Sequence, residues 1–157
     1  MPSEIFLTAG LQAAVYAREI PFWKTAKSVL LFISMENEIR TLPLIETSVK
    51  EGKEVFAPRI ENGVMNFYRM EKNTAFGAEN FPAIIFTPGL AFDRKGNRLG
   101  RGKAFYDRFF TGLDKASLEY KAIGLCLACQ IAESVPVEKH DKRMDYLCCE
   151  NGIFPVQ

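Results

Sequence analysis

Ala83-Ile-Ile-Phe-Thr87 leads into Pro88-Gly-Leu-Ala-Phe-Asp93, then Arg94-Lys-Gly-Asn-Arg-Leu-Gly-Arg-Gly-Lys103, then Ala104-Phe-Tyr-Asp-Arg108. The first five residues are continuously apolar rather than alternating, the pattern of a strand covered on both faces. The end of the stretch, from about Gly102 to Phe110, predicts a helix with Phe105, Phe109 and Phe110 turned inward. A buried strand that empties through a glycine-rich basic loop into a helix is the core of a β-loop-α unit. In open α/β sheets ligands bind at such loops, beyond the carboxyl ends of the strands.

Other segments extend the same alternation. Val29 to Ile33 is a second continuous apolar run, and Glu54 to Ala57, Ala122 to Ala128 and Tyr146 to Cys149 also read as strands. Leu7 to Ile20 is helical in pattern, with Leu7, Leu11, Ala14 and Val15 as its apolar positions and Thr8 as a candidate N-cap. Thr41 to Lys50 offers Leu42, Leu44, Ile45 and Val49, with Gly52 as a stop signal. Ile60 to Arg69, turning at Glu61-Asn-Gly63, reads as a hairpin edge. The order predicts an α/β fold: a layered domain with a largely parallel central sheet flanked by helices, plus a small hairpin edge. At 157 residues, with no linker or repeat, residues 1–157 form a single domain.

Hydrophobic residues make up 48%, charged residues 25%, and the formal net charge is +1. That near-neutral balance argues against nucleic acid and anionic membranes as partners, so any anionic ligand must be met by a local cluster. No apolar run approaches the roughly 18 residues of a membrane span. The first 20 residues carry Glu4, Arg18 and Glu19 instead of a signal-peptide pattern, which points to the cytoplasm. Cys126 and Cys129 form a C-x-x-C, but an offset of three puts them on opposite faces of a strand. Cys148 and Cys149 point apart for the same reason. Buried free thiols are expected rather than a metal site, and His140, the single histidine, does not complete a zinc set.

Five basic residues and three glycines fall between 94 and 103. Glycines let backbone N–H groups approach an anion, and a helix N-terminus favours negative charge, so the loop suits phosphate. A solvated basic turn is the plainer alternative. The spacing is not a P-loop, since five residues separate Gly96 from Gly102-Lys103 and Ala104 follows. Asp107 lies four residues after Lys103. Either the two form a surface helix pair, or Asp107 holds Mg²⁺ against phosphates in the loop, with Asp141 or Asp145 as a second carboxylate.

The segment Thr87 to Arg108 resembles the signature of the 5-formyltetrahydrofolate cyclo-ligases, also called methenyltetrahydrofolate synthetases. Three weaker stretches agree in the same order: Ile33-Ser-Met-Glu-Asn-Glu-Ile-Arg-Thr41, Gly52-Lys-Glu-Val-Phe-Ala-Pro-Arg59 and Val135-Pro-Val-Glu-Lys-His-Asp141. The resemblance implies a ligase of one-carbon metabolism that closes 5-formyltetrahydrofolate to 5,10-methenyltetrahydrofolate. ATP would phosphorylate the formyl oxygen, N10 would attack the resulting imidate phosphate, and ADP and phosphate would be released. It implies ATP binding by Arg98, Leu99, Gly100, Arg101, Gly102, Lys103, Ala104, Phe105 and Tyr106. Folate contact would fall to Ile33 and Glu38 together with Arg101, Gly102, Lys103, Ala104 and Phe105. Lys103 and Arg101 would be the catalytic cations, Asp107 and Asp141 the Mg²⁺ carboxylates, and His140 a neighbour that positions Asp141. The implied partners are these small molecules, and a monomer is expected.

The sequence departs from the family pattern at several points. Ala104 stands where glycine is usual and Phe105 where tyrosine is usual, and Phe76-Gly-Ala-Glu-Asn80 is a shortened echo of a longer family loop. The family's basic N-terminal helix has no counterpart: Met1 to Gly10 contains no Lys or Arg. A second reading is therefore a catalytically weak or inactive relative that binds reduced folate or nucleotide as a sensor or buffer. A third is a different ATP- or phosphosugar-using enzyme on a similar scaffold.

Overall fold

The computed structural model describes residues 2–157. Its centre is a seven-stranded sheet in which β1 (Ser28–Leu30) lies between β2 (Glu54–Glu61) and β4 (Ala83–Thr87), parallel to both. Beyond β4 come β7 (Tyr120–Leu125) and β9 (Tyr146–Cys149), also parallel. Two antiparallel edges close the sheet: β3 (Val64–Arg69) on β2, and β10 (Gly152–Pro155) on β9. The layered α/β architecture expected from the alternating runs is the one found. The β2–β3 turn carries Asn62 and Gly63 at φ 53° and 75°, the left-handed pair that a two-residue hairpin turn requires.

The continuous apolar runs are the strands buried on both faces. Ala83, Ile84, Ile85 and Phe86 have no exposed surface, and they divide between two cores. Ile84 and Phe86 face the core under α1 (Ser3–Ala17), α2 (Pro21–Thr25) and α3 (Leu42–Lys50), which also holds Trp23 and Leu44. Ala83 and Ile85 face the core under α4 (Phe105–Lys115), with Phe56, Phe67 and Phe110. A small second sheet joins β5 (Ala91–Asp93), β6 (Arg98–Leu99) and β8 (Ile131–Ala132).

Several boundaries and faces differ from the sequence expectation. α1 starts at Ser3 behind Pro2, so Thr8 is an interior residue and not its cap. Its buried face is Phe6, Ala9, Gly10, Ala13, Ala14 and Ala17. Leu7, Leu11 and Val15 are 46%, 54% and 62% exposed. Of the four expected positions only Ala14 lies on the buried face, because small residues let the helix lie close to its neighbours while the larger aliphatics point away. α1 ends at Ala17, before the Ile20–Pro21 step, which favours extended backbone at residue 20. In α3, Leu42 and Val49 are likewise exposed. β1 stops at Leu30, so Ile33 belongs to a loop. β7 stops at Leu125, which places Cys129 in a short 3-10 turn, exposed rather than buried. Cys126, Cys148 and Cys149 are buried free thiols, with Cys148 and Cys149 in opposite cores. Among the described residues no helix is long and apolar enough to cross a membrane.

Candidate active site

From β1 the chain runs through α3 to β2 on one side, while β4 joins β1 on the other, so the strand order reverses between β1 and β4. The carboxyl ends of such a pair leave a crevice. A cleft of about 770 Å³ lies there, with Phe32 and Ile33 beyond β1 and Pro88 and Gly89 beyond β4. Every position expected to bind ligand lines this one cleft: Ile33, Glu38, Arg98 to Asp107 and Asp141. The hairpin supplies a wall that sequence reasoning missed, Pro58, Ile60 and Met65. No signal in the sequence marks this wall; only the structure shows Ile60 to be 53% exposed.

The basic loop is less uniform than its composition suggests. Residues 94–97 form a tight turn fixed by Asp93, whose carboxylate accepts the N–H of Lys95 at 3.0 Å, that of Asn97 at 3.1 Å and the Asn97 amide at 3.0 Å. A fourth bond, from Val135 N–H at 3.2 Å, ties the turn to the 135–141 segment. Burial alone would raise the Asp93 carboxyl, but the hydrogen bonds from Asn97, Val135 and Lys95 override it and hold it below its usual value. Arg94 and Lys95 consequently line a separate surface pocket, not the cleft. Three basic residues face the cleft: Arg98, Arg101 and Lys103.

These three differ in kind. Arg98 is only 8% exposed; it donates to Pro88 O at 3.1 Å and pairs with Asp107. Burial lowers its pKa and Asp107 works against that, so the guanidinium stays a cation built into the back of the site. Arg101 and Lys103 are exposed and make no salt bridge among the described residues. They are the cations available to an incoming anion.

α4 begins at Phe105 rather than Gly102, so Lys103 precedes the helix and makes no i,i+4 pair with Asp107. Phe110 is fully buried as expected, whereas Phe105 and Phe109 are half-buried. The approach to the helix is a left-handed turn, with Gly102 at φ 88° and Ala104 at φ 53°. Asp107 Oδ1 accepts the N–H of Lys142 at 3.0 Å. This links the helix to the segment that carries Asp141. Among the described residues Asp141 is held by Glu138 and makes no hydrogen bond to His140. Asp141 Oδ2 accepts the N–H of Glu138 at 2.8 Å, and the Asp141 N–H returns to Glu138 O at 3.1 Å. Two donors behind the loop, Tyr106 Oη and Arg98 Nε, are buried without a protein partner. Burial pushes the Tyr106 phenol pKa up, so it remains a neutral donor.

Opposite the loop, Glu38 accepts the N–H of Met35 at 2.7 Å. Ile33 and Met35 present 58% and 55% of their surface. The cleft thus has an apolar half with one carboxylate, and a cationic half floored by glycines and flanked by Asp107 and Asp141. No cluster of three or more His, Cys, Asp or Glu side chains able to hold a metal ion occurs among the described residues. Two carboxylates beside free cations instead suit Mg²⁺, which retains waters and takes phosphate oxygens as further ligands. The arrangement can hold a flat apolar heterocycle next to a polyphosphate.

The family model described as the 5-formyltetrahydrofolate cyclo-ligase family matches residues 8–83 and 72–150. A probable 5-formyltetrahydrofolate cyclo-ligase of Schizosaccharomyces pombe is 32% identical over 158 residues, covering 82% of this chain and 78% of that protein. The Haemophilus influenzae 5-formyltetrahydrofolate cyclo-ligase is 31% identical over 138 residues, covering 75% and 73%. In three dimensions the chain is similar to the Aquifex aeolicus 5,10-methenyltetrahydrofolate synthetase, with a TM-score of 0.81 and 24% identity over 100% of this chain and 86% of that one.

Proposed function

From the premise that this chain belongs to the 5-formyltetrahydrofolate cyclo-ligase family, we propose that it is a ligase closing 5-formyltetrahydrofolate to 5,10-methenyltetrahydrofolate at the expense of ATP. The observation that carries this reading is the convergence of the Ile33–Glu38 loop, the 98–106 loop and both carboxylates on one cleft. The reduced pterin lies in the apolar half, against Ile33 and Met35, with Glu38 accepting from its N–H groups. The triphosphate lies along residues 98–106, where Gly100 and Gly102 let backbone N–H groups approach and Arg101 and Lys103 offset its charge.

The formyl oxygen attacks the γ-phosphorus and ADP leaves. N10 then attacks the activated carbon, the C–O bond to phosphate breaks, and the N10 proton passes to solvent. Phosphoryl transfer of this kind asks for alignment and charge neutralisation more than for a strong base, which fits a site without a Ser–His or Cys–His pair. Arg101 and Lys103 hold the transferring phosphoryl in line, and Arg98 supports the loop from behind. Asp107 and Asp141 are the residues that would hold Mg²⁺, which when bound neutralises phosphate charge.

The test follows the near-ultraviolet absorbance of the methenyl product with 5-formyltetrahydrofolate, Mg²⁺ and ATP. A rise that needs ATP and protein together supports the ligase. Folate binding without any rise supports the sensor or buffer, and no folate binding removes both readings.

A further inference from the structure

We propose that Arg40 is a positioning residue that shapes the folate half of the cleft without touching the ligand. This rests on the cyclo-ligase reading of the site.

Residues 31–41 leave the sheet as irregular chain, yet they must hold Ile33, Met35 and Glu38 toward the cleft. The Arg40 guanidinium lies at the hub of that loop. Nη1 donates to Met35 O and Glu38 O, both at 2.8 Å, and Nη2 donates to Glu36 O at 3.1 Å. One planar cation therefore satisfies three carbonyls of the turn, a fork that a lysine ammonium cannot reproduce. The base of the loop is closed separately by Ser34, which donates to Ile39 O at 2.7 Å and accepts from Thr41 N at 2.9 Å. Without Arg40 the loop would keep its base and lose the order of its tip.

Arg40 is itself fastened to α1. Its guanidinium carbon lies 5.4 Å from the centre of the Phe6 ring, and the Arg40 backbone N–H donates to Phe6 O at 3.2 Å. Gly10 makes room for this contact, since a Cβ at that position would meet Arg40 O at 2.3 Å. α1 is thereby linked through Arg40 to the loop that carries Glu38.

The experiment compares Arg40→Ala, Arg40→Lys and Gly10→Ala in the full-length enzyme. Arg40→Ala is expected to raise KM for 5-formyltetrahydrofolate by about tenfold, the scale of one lost charged hydrogen bond, with KM for ATP unchanged. Arg40→Lys should recover only part of that loss. Gly10→Ala, which pushes the loop from the helix side, should show the same selectivity. An unchanged folate KM in Arg40→Ala, or an equal rise in both KM values, overturns the proposal, because a merely structural role would not discriminate between substrates. If the wild-type enzyme turns over no folate, the ligase reading fails, and the loop role is read from amide exchange. Faster exchange at Met35 and Glu38 in Arg40→Ala sustains that role, and unchanged exchange removes it.

Discussion

Arg98 Nη2 stands 3.5 Å from Asp107 Oδ2, with the two side chains 8% and 17% exposed, so the back of the cleft holds an ion pair formed before any ligand arrives. The pair divides the basic residues by task. Arg98 is already partnered and organises the loop, while Arg101 and Lys103 keep their charge for the ligand. It also gives Asp107 a duty within the protein, anchoring Arg98 and Lys142, beside the proposed one of meeting Mg²⁺ in the cleft.

Those duties can be separated. Asp107→Asn keeps an oxygen for the Lys142 N–H but loses the charge, whereas Asp107→Ala loses both. Turnover should fall at least about tenfold in either variant, with a raised Mg²⁺ requirement in Asp107→Asn. Both variants unpair the largely buried guanidinium, and Asp107→Ala should lose ~1–3 kcal/mol more stability, because it alone also leaves the Lys142 N–H without its acceptor. Mg²⁺ titration and urea unfolding measure the two effects. A magnesium titration of Asp107→Asn that overlays the wild type would remove the metal role.

Lys103 is exposed and makes no salt bridge among the described residues, so its removal should cost function and not fold. Lys103→Ala is expected to lower turnover tenfold or more, since one charged contact to phosphate is worth ~1.5–3 kcal/mol. The midpoint of thermal unfolding should stay put. Near-normal turnover would show that the phosphates lie elsewhere.

Ala104 has φ 53° and ψ 25°, immediately before α4. A residue with a Cβ held in the left-handed region is strained by ~1–2 kcal/mol, and glycine avoids the strain at some cost in unfolded-state entropy. Ala104→Gly should therefore stabilise the protein by up to ~1 kcal/mol, and Ala104→Val should destabilise it, since a branched Cβ fits that region worse. Denaturant midpoints for the two variants should move in opposite directions. Equal shifts would mean that the turn before α4 is not strained.

The strain at Ala104 also marks what the sequence could reveal. The sheet was readable from Val29 to Ile33 and Ala83 to Thr87 because strands buried on both faces leave unbroken apolar runs. A phosphate-suited loop was readable because glycines and basic residues cluster between 94 and 103, whereas Ile33, Glu38 and the folate contacts were implied only by the resemblance to the family. Helix faces were not readable in α1, where alanines and one glycine make the buried side and period alone cannot choose between two apolar stripes. Nor was the split of the basic loop, because composition cannot show that Asp93 folds Arg94 and Lys95 away from the cleft. That depended on a buried carboxylate finding four donors, one of them at Val135, distant in sequence.

Asp93 is accordingly the residue on which the shape of the loop should depend most. It is 2% exposed, and its carboxylate accepts four hydrogen bonds, so Asp93→Ala strands several buried donors at once. A loss of ~2–3 kcal/mol is expected, with a fall in activity, because the same turn holds Arg98 at the head of the ligand loop. Acid should act on the wild type in the same way. The folded carboxyl is depressed below its unfolded value, so the stability it contributes is present above the unfolded pKa and is lost as pH falls through the folded one. Unfolding free energy followed from neutral pH to below about pH 4 should drop in the wild type. The drop should be shallower in Asp93→Asn, which has no proton to take up there. Parallel acid limbs for the two proteins would show that other carboxylates govern the transition and that the turn does not depend on the Asp93 charge.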